Sequence, residues 1–341
     1  MIETPAKPVT SAPVTATILV IAYRMRETIA EAITSALAQT VTCEIIVSDD
    51  SSGDGTFEAA QAAIAGYVGL HRISVRSTAV NRGLCGHLNE LAAIASGDVL
   101  VFLAGDDVAF PHRVARLLAT FAEHPEAMVV GSSVNDIDHD GRTTATKARG
   151  QPLLLDQRWF LQRGKLLMVL GASMAVRRSL IADLPPLQGM IEDTMLSLRA
   201  ALFGECRCLP EALLGYRLHD HNLNDWLNDA TYETRNRAML ANYRLIAADQ
   251  ECCVAARPDL SEERKRFALE LANMYRLEAD MIEALFDKPR SQWLGLLWRG
   301  FKHPGLRRKS AERALKLLLP RRLFGRDRTL KLMLLRWFGR H

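Results

Sequence analysis

The chain has no sequence feature of a membrane-spanning or exported protein. Among its 341 residues, no run reaches the roughly 18 consecutive apolar residues that a transmembrane helix needs. The opening stretch MIETPAKPVTSAPVTAT lacks the basic start and the long apolar run of a signal peptide. Its bias toward Pro, Thr and Ala is typical of disordered segments, so we expect residues 1–15 to form a disordered lead-in. These absences predict a cytoplasmic protein.

Cysteine is sparse and is not spaced for cross-linking. None of the six cysteines belongs to a CxxC pair, and two of them are adjacent. A disulfide framework or a zinc site needs a different spacing, so we expect reduced thiols, as in a cytosolic protein. The cysteines are Cys43, Cys85, Cys206, Cys208, Cys252 and Cys253.

Glycine-rich nucleotide-binding loops are also missing. The first predicted strand leads into YRMRET, which contains neither the GxGxxG fingerprint nor a phosphate-binding P-loop. A dinucleotide-dependent oxidoreductase and a P-loop kinase are therefore disfavoured. A sugar-nucleotide pyrophosphorylase is disfavoured as well, because it needs a glycine-rich loop at the same place.

Positive charge is concentrated at the carboxyl end. The net charge is +4, but residues 301–341 hold 13 Lys and Arg against two acidic residues, whereas residues 1–300 hold 30 basic and 37 acidic ones. A segment with this charge favours an anionic partner, either a membrane surface or a nucleic acid.

Residues 301–341 interleave these charges with apolar side chains at helical spacing. Basic amphipathic helices with aromatic edges suit an anionic bilayer surface, where each Lys or Arg contributes roughly 1 kcal/mol. RNA is disfavoured because leucine outnumbers the aromatic residues that stack on bases. Packing on the body or on a second subunit is a third possibility. We expect a peripheral protein at the inner face of the cytoplasmic membrane, without a nucleic-acid partner and with homo-oligomerisation left open. The apolar stripes are Leu315, Leu318 and Leu319, and Leu330, Met333, Leu334 and Trp337.

Strand and helix patterns alternate from residue 16 to about residue 135. Short apolar runs typical of buried strands alternate with segments of helical periodicity. Strands separated by helices imply right-handed crossovers and an α/β fold with a mostly parallel sheet flanked by helices. The predicted strands are 16–22, 43–48, 72–77, 98–103 and 127–133, and the predicted helices are 27–39, 56–65, 84–95 and 112–123.

Polar pairs follow three of these strands, at 23–24, 49–50 and 106–107. Ligands of parallel sheets bind beyond the carboxyl ends of the strands, so these pairs indicate the functional site. The adjacent carboxylates of Asp106 and Asp107 repel each other, and a bound cation would stabilise them. The alternative is that they cap the helix that begins near Pro111.

The order of the motifs resembles that of family 2 glycosyltransferases, which have the GT-A fold. The nucleotide-binding half of that family is similar to residues 16–135, through ILVIAYRMRETIAEAITSALAQT, EIIVSDDSSGDGT and NRGLCGHLNELAAIASGDVLVFLAGDD. Its acceptor half is similar to residues 136–225, through GASMAVRR, EDTMLSLR and YRLHDHNLN. The charge-mixed residues 226–300 are interpreted as an appended helical extension, followed by the basic amphipathic tail over 301–341.

The resemblance implies an inverting glycosyltransferase that moves a sugar from a nucleoside diphosphate, UDP or dTDP, to an acceptor hydroxyl. Asp50 would accept a hydrogen bond from the base, beside Ala22 and Tyr23 in the nucleotide-sugar site. Arg82 would lie near the base or the diphosphate. The alternatives are a turn-capping role for Asp50 and an ordinary exposed loop position for Arg82.

The same resemblance places Mn²⁺ or Mg²⁺ on the donor diphosphate, held by Asp106, with Gly105 beside it in the nucleotide-sugar site. Asp107 is expected to support this metal site or to cap the next helix. His219 is expected to be a third ligand or a phosphate donor, with a structural histidine as the alternative. Ala104 departs from the family pattern, because an aspartate commonly stands there. That change affects a second contact, to the ribose or to a metal, and leaves the principal ligand in place.

Asp193 resembles the family's catalytic base, which takes the proton of the acceptor hydroxyl as its oxygen attacks the sugar. Glu192 would orient that base or contact the acceptor. The alternative is that both acids simply begin an amphipathic helix. The expected acceptor is a saccharide or a lipid-linked saccharide in cell-envelope polysaccharide synthesis. A non-catalytic nucleotide-sugar-binding scaffold of the same fold is the main alternative, and Ala104 favours it.

Overall fold

The computed structural model describes residues 14–147, 153–163, 168–189, 191–218 and 231–316. Most of the expected lead-in over 1–15, the residue His219 and the tail from residue 317 onward lie outside the described residues. The ligand role expected of His219 and the apolar stripe from Leu330 to Trp337 therefore remain predictions.

Ten strands of the described residues form one sheet. They are β1 (Ala16–Ala22), β2 (Glu44–Asp49), β3 (Arg72–Ser77), β4 (Val99–Ala104), β5 (Val108–Ala109), β6 (Ala127–Ile137), β7 (Thr143–Lys147), β8 (Leu154–Leu155), β9 (Ala175–Arg177) and β10 (Glu205–Arg217). Their order is β3-β2-β1-β4-β9-β6-β10-β5, with β7 beside β6 and β8 beside β10. Neighbours among β1 to β4 are parallel, as are β6 and β10, whereas β9 runs antiparallel between β4 and β6. The expected α/β fold is confirmed, and its continuous parallel part is β3-β2-β1-β4.

Helices flank the sheet and continue beyond it. They are α1 (Ile29–Leu37), α2 (Thr56–Ile64), α3 (Gly83–Ile94), α4 (Arg113–Glu123), α5 (Gln157–Arg163), α6 (Ser179–Ala182), α7 (Glu192–Phe203), α8 (Tyr232–Ala256), α9 (Glu262–Asp287), α10 (Trp293–Lys302) and α11 (Arg307–Lys316). The long helices α8 and α9 begin with true side-chain caps, because Thr231 and Ser261 each accept a hydrogen bond from a backbone N–H in the first turn.

The central strand β4 is apolar throughout and β1 is apolar except for Thr17, because both faces of the sheet are covered. Leu19 of β1 and Phe102 of β4 belong to one buried cluster, whereas Ile18 and Val101 of the same strands belong to the cluster on the opposite face. Successive side chains of a strand point to opposite faces, so a strand covered on both sides needs apolar residues at every position. This burial holds the strand ends that carry the site.

The C-terminal helices share a core with the sheet. Buried side chains of α9, among them Tyr275 and Met281, belong to the same cluster as Leu19 and Phe102. The predicted start of the tail at residue 301 falls inside α10, and α11 packs against α10. The expected C-terminal helices are present, and they are built onto the body.

Two basic residues of the expected tail are used inside the protein. The Nη1 and Nη2 atoms of Arg313 donate to the buried carboxylate of Glu278 at 2.9 Å and 2.7 Å, and Nζ of Lys309 lies 3.2 Å from the same carboxylate. These charges hold α11 against α9. For this part of residues 301–341 the contacts match the alternative of packing on the body, and the membrane contact of the segment stays a prediction.

Within the described ranges, no helix combines the length and the apolar character needed to span a bilayer. All six cysteines are free thiols, as expected. Burial raises the pKa of Cys43 to about 11 and that of Cys85 to about 12, so both stay protonated at neutral pH.

Candidate active site

The carboxyl ends of β1, β2 and β4 meet at one edge of the sheet, because their registers bring the strand ends level. The backbone ladder continues past the strands. The N–H of Asp50 donates to the carbonyl oxygen of Ala22, and the N–H of Gly105 donates to that of Ile21, both at 2.9 Å. The predicted donor-site residues of three separate strands are therefore brought together.

Two residues at these strand ends adopt a left-handed backbone. Arg24 has a φ of +58° and Ser51 a φ of +59°. This conformation is unfavourable for residues with a side chain, and it concentrates at functional sites. The N–H of Arg24 donates to Oγ of Ser52 at 2.7 Å, which joins the two loops. The Arg24 guanidinium stacks on the ring of Tyr23, which is 42% exposed, so an aromatic surface stands open at the end of β1.

Asp50 is buried and ties β2 to the loop before α3. Its Oδ1 accepts hydrogen bonds from the hydroxyl of Thr78 at 3.0 Å and the N–H of Arg82 at 2.8 Å, and its Oδ2 accepts from the N–H of Gly83 at 2.9 Å. The adjacent Asp49 caps the turn that follows β2, so Asp50 does not have that role. A carboxylate has about four acceptor positions, and these contacts fill three of them.

The side chain of Arg82 lies on the surface beside α3. It is half exposed, and its Nε pairs with Oε1 of Glu90 at 2.8 Å. Its backbone N–H is already committed to Asp50. The expected contact of the Arg82 guanidinium with a base or a diphosphate stays a prediction.

The Asp106–Asp107 pair begins the loop after β4. Helix α4 starts at Arg113 with His112 as its N-cap, so the pair does not occupy the capping position. Asp106 is half-buried, whereas Asp107 is only 1% exposed. The helix-capping alternative for these two residues is therefore wrong.

Asp107 lies behind the loop rather than on its surface. Its Oδ1 accepts from the N–H of Arg217 at 2.9 Å, and its Oδ2 has no hydrogen-bond partner among the described residues. Burial and the neighbouring charge of Asp106 raise the pKa of Asp107 well above its ordinary value. Arg113 is fully buried, which lowers its pKa to about 10, and its charge counteracts the shift at Asp107. This placement fits the supporting role expected of Asp107.

Arg217, at the end of β10, holds this loop and was not among the predicted site residues. Its Nε donates to the carbonyl oxygen of Asp106 at 2.7 Å. Its Nη1 donates to the carbonyl oxygens of Asp138 and His139 at 2.6 Å and 2.5 Å, and its Nη2 pairs with Glu31 at 2.5 Å. The one sequence signal was a charged side chain at the end of an apolar strand, which does not identify these partners.

Glu192 and Asp193 form the first turn of α7, and both are half-buried. Burial and the adjacent carboxylate raise the pKa of Glu192 to about 8. Burial also raises the pKa of Asp193, although its Oδ1 accepts from the N–H of Thr194 at 2.6 Å. Every residue from Thr194 to Leu202 is buried, so α7 is not amphipathic. The pair is therefore not the solvated start of an amphipathic helix.

A single turn, which contains Gly171 and Ala172, lies between the two acidic pairs. A Cβ on Gly171 would lie 3.0 Å from Oε1 of Glu192. The carbonyl oxygen of Ala172 accepts from Nη2 of Arg113 at 3.0 Å, and the charge of Arg113 acts on Asp107. The candidate base and the loop of the candidate metal ligand are thus connected through this turn, which the sequence did not indicate.

No group of three metal-binding side chains assembles within the part of the chain that the structure describes. Ala104 ends β4 and supplies no carboxylate. Of the predicted metal ligands, the structure describes two, the half-buried Asp106 and the buried Asp107. The third predicted ligand, His219, lies outside the described residues.

The sequence model of glycosyl transferase family 2 matches residues 17–184. EpsE of Bacillus subtilis, which is provisionally named a glycosyltransferase, is 34% identical over 120 residues, or 35% of this chain and 42% of EpsE. The succinoglycan biosynthesis protein ExoU of Rhizobium meliloti is 35% identical over 109 residues, or 32% of this chain and 31% of ExoU. The chain therefore spans less than half the length of each of these two relatives.

A solved structure shares the fold. The S. aureus TarS 1-349 fragment in complex with UDP-GlcNAc has a TM-score of 0.55 and 18% sequence identity, over 85% of this chain and 82% of that chain. The family match lies over β1 to α6, which carry Asp50 and Asp106 at the strand ends. Motif order, fold and family match agree, and residues 17–184 of the chain form a glycosyl transferase family 2 domain.

Proposed function

We propose that the chain transfers a sugar from a nucleoside-diphosphate donor to an acceptor hydroxyl with inversion. The observation that carries the proposal is the Glu192–Asp193 pair, whose raised pKa values suit acid–base chemistry. The pair lies beside the turn that contacts the Asp106–Asp107 loop through Arg113. A carboxylate base and a donor site at parallel strand ends are the two parts that such a transfer needs.

The nucleotide lies over the ends of β1 and β2. Tyr23 offers an exposed ring beside the base, and Asp50 keeps one acceptor position on Oδ2 for an imide N–H. Uracil and thymine carry such an N–H, which supports UDP or dTDP as the donor. Arg82 follows the loop that Asp50 holds, where a guanidinium suits phosphate oxygens.

Gly105 is buried where the loop after β4 packs against Met25 and Ile29. A Cβ on Gly105 would lie 2.9 Å from both Cδ1 of Ile29 and Sδ of Met25, and 3.2 Å from Cβ of Ala22. A glycine at this position therefore lets the loop that carries Asp106 lie close to the end of β1.

Asp106 fits a hard divalent cation, Mn²⁺ or Mg²⁺. Its carboxylate is half-buried, and Arg217 holds its backbone through a hydrogen bond to the carbonyl oxygen. Oxygen is the ligand type that these ions prefer. Asp107 supports Asp106 from behind, Ala104 contributes no ligand, and His219 is the further predicted one. When bound, the cation offsets the negative charge that develops on the departing nucleoside diphosphate.

Asp193 is the base. The acceptor oxygen forms its bond to the anomeric carbon while the bond from that carbon to the diphosphate oxygen breaks, and the hydroxyl proton passes to a carboxylate oxygen of Asp193. Attack from the face opposite the leaving group inverts the anomeric centre. Glu192, whose pKa is raised to about 8, keeps its proton at neutral pH and donates a hydrogen bond to the acceptor.

The acceptor is a saccharide or a lipid-linked saccharide of the cell envelope. The support for this class is the succinoglycan biosynthesis name of the relative ExoU. The enzyme works at the inner face of the cytoplasmic membrane, where the basic residues 301–341 attract anionic lipid. In the described part of that stretch, Arg307 and Arg308 are exposed.

Donor hydrolysis by the purified full chain tests the proposal. UDP-, dTDP- and GDP-sugars are offered with Mn²⁺, Mg²⁺ or EDTA to the wild type and to Asp106→Ala and Asp193→Ala. The exposed Asp140→Ala is the matched control. We expect release of one nucleoside diphosphate, lost with EDTA and in Asp106→Ala and kept in the control. Asp193→Ala should bind the donor in calorimetry and fail to transfer.

The second candidate is a non-catalytic scaffold that binds nucleotide sugars, and Ala104 is the observation that favours it. Donor binding without release, with every acceptor offered, would identify the scaffold. Absence of both donor binding and release across the panel would overturn both functions.

A further inference from the structure

An exposed apolar stripe runs along α10. Leu294, Trp298 and Phe301 are 64%, 63% and 37% exposed, while Trp293 and Leu297 of the same helix are buried against the body. Residues at i, i+4 and i+7 lie on one face of a helix, so the three exposed side chains form a continuous strip. One side of α10 packs into the protein, and the other presents large apolar groups to solvent.

A basic groove lies beside this stripe, between α9 and α10. It has a volume of about 760 Å³, and its walls include Lys265 and Arg266 from α9 and Arg299 and Lys302 from α10. Its acidic lining residues are two glutamates, one of which pairs with Lys265 at 2.8 Å. Arg299 and Lys302 form no ion pair within the described residues, so the groove keeps an excess of positive charge.

The charge and the stripe meet at Trp298. The Nζ of Lys302 lies 5.2 Å from the centre of the Trp298 indole ring. Leucine, tryptophan and phenylalanine flanked by lysine and arginine on one helix face are the composition that lies flat in the interface of an anionic bilayer.

We propose that α10 and the adjoining groove form the surface by which this protein docks on an anionic lipid bilayer. Leu294, Trp298 and Phe301 enter the headgroup region, and Arg299 and Lys302 contact lipid phosphates. The inference deepens the membrane placement in the proposed function and rests on that placement alone. It assigns the contact to residues before and at the start of 301–341, since Lys309 and Arg313 are engaged by Glu278.

A second copy of the chain is a poorer occupant of the same face. A two-fold contact would bring the stripe against itself, with Arg299 and Lys302 close to the same residues of the other copy. Like charges at an interface disfavour association, whereas anionic lipid neutralises them.

Vesicle co-sedimentation of the full chain, without donor or acceptor, tests the assignment. Vesicles of phosphatidylglycerol and phosphatidylcholine in equal parts are compared with pure phosphatidylcholine. Leu294→Glu/Trp298→Glu removes the stripe, and Arg299→Gln/Lys302→Gln removes the groove charge. Val68→Glu, at a 97% exposed valine between α2 and β3, is the matched control for an added surface charge.

We expect the wild type and Val68→Glu to bind anionic vesicles and to ignore pure phosphatidylcholine. Each double variant should bind about tenfold less tightly, with unchanged circular dichroism and donor hydrolysis. Equal binding by the double variants and the wild type would overturn the assignment and leave residues 317–341 as the anchor. No binding by the wild type would overturn the membrane placement itself. Loss of a wild-type dimer in the stripe variant, without vesicle binding, would identify a second copy as the occupant. Donor hydrolysis reports separately on the transferase proposal.

Discussion

The side chain of Arg217 donates from Nε to the carbonyl oxygen of Asp106 at 2.7 Å, and the backbone N–H of the same residue donates to Oδ1 of Asp107 at 2.9 Å. One residue of β10 thus holds both members of the acidic pair. The rest of its guanidinium reaches Glu31 on α1 and the turn after β6. The loop after β4 is therefore fixed from three directions.

Replacing Arg217 should damage both stability and donor binding. Arg217→Met removes the guanidinium donors from the part-buried carbonyl oxygens of Asp106, Asp138 and His139, which we expect to cost about 2–4 kcal/mol in the free energy of unfolding. Arg217→Lys should recover part of the stability and little of the metal-dependent donor affinity, because an ammonium group does not reach the same set of acceptors. Urea unfolding and calorimetry with UDP and Mn²⁺ measure the two effects. The exposed Arg142→Ala is the control, and unfolding midpoints equal to wild type in both Arg217 variants would contradict the role.

The two neighbouring aspartates should respond differently to the same change. Asp107→Asn keeps an Oδ1 acceptor for the N–H of Arg217 and resembles the protonated acid that its raised pKa favours, so folding and donor binding should persist. Asp106→Asn removes a half-buried charge that suits a divalent cation, so metal-dependent donor binding should fall by about tenfold or more. Titration of each variant with UDP, with and without Mn²⁺, measures this. A larger loss in Asp107→Asn than in Asp106→Asn would reverse the assignment of the ligand.

Glu192 should make the protein less stable as the pH rises. Its pKa is raised from 4.5 to about 8, so the folded chain keeps a proton that the unfolded chain has released. Its contribution to stability is present below the unfolded pKa and is lost as the pH rises from about 4.5 to about 8. Glu192→Gln removes this dependence, so the wild type should lose stability relative to the variant across that window. Denaturation midpoints at several pH values measure it, and parallel curves for the two proteins would contradict the raised pKa.

The buried Arg199–Asp249 pair should be essential for the position of α7. Arg199 pairs with Asp249 on α8 and donates to the carbonyl oxygens of Leu180 and Pro185 at 2.8 Å and 2.7 Å. Removal of one partner leaves a buried charge without its counter-charge, so Asp249→Leu should destabilise the fold by about 3–5 kcal/mol. The Arg199→Met/Asp249→Leu double variant should recover most of this loss, because it leaves neither charge behind.

An exposed arginine pair provides the matched control for that measurement. Arg237→Ala breaks the surface pair with Asp287 and should leave the midpoint close to that of the wild type. If the Arg199→Met/Asp249→Leu variant is as unstable as Asp249→Leu, then altered packing, and not the unpaired buried charge, causes the loss of stability.

Local sequence patterns predicted the first half of the fold well. Strand β1 is Ala16–Ala22 and β3 is Arg72–Ser77, at the predicted bounds. The apolar run of β1 and the alternating polar and apolar residues of the edge strand β3 are both local patterns that can be read directly from the sequence. The secondary structure of the stretch GASMAVRRSL was harder to predict from the sequence. It divides into a turn, the three-residue strand β9 and the short helix α6, and β9 inserts antiparallel between β4 and β6. That pairing joins distant segments, which local periodicity does not encode.

By itself, the sequence determined which carboxylates lie at the ends of the parallel strands, because the order and period of the elements set where each strand stops. Only the tertiary structure decided how those carboxylates differ. Asp106 is half-buried while Asp107 is buried, and Arg217 holds both, from 111 and 110 positions away in the chain. The pKa of Glu192 depends likewise on what covers it. Burial and long-range hydrogen bonds come from segments far apart in sequence, so their effects on each acid appear only when the chain is folded.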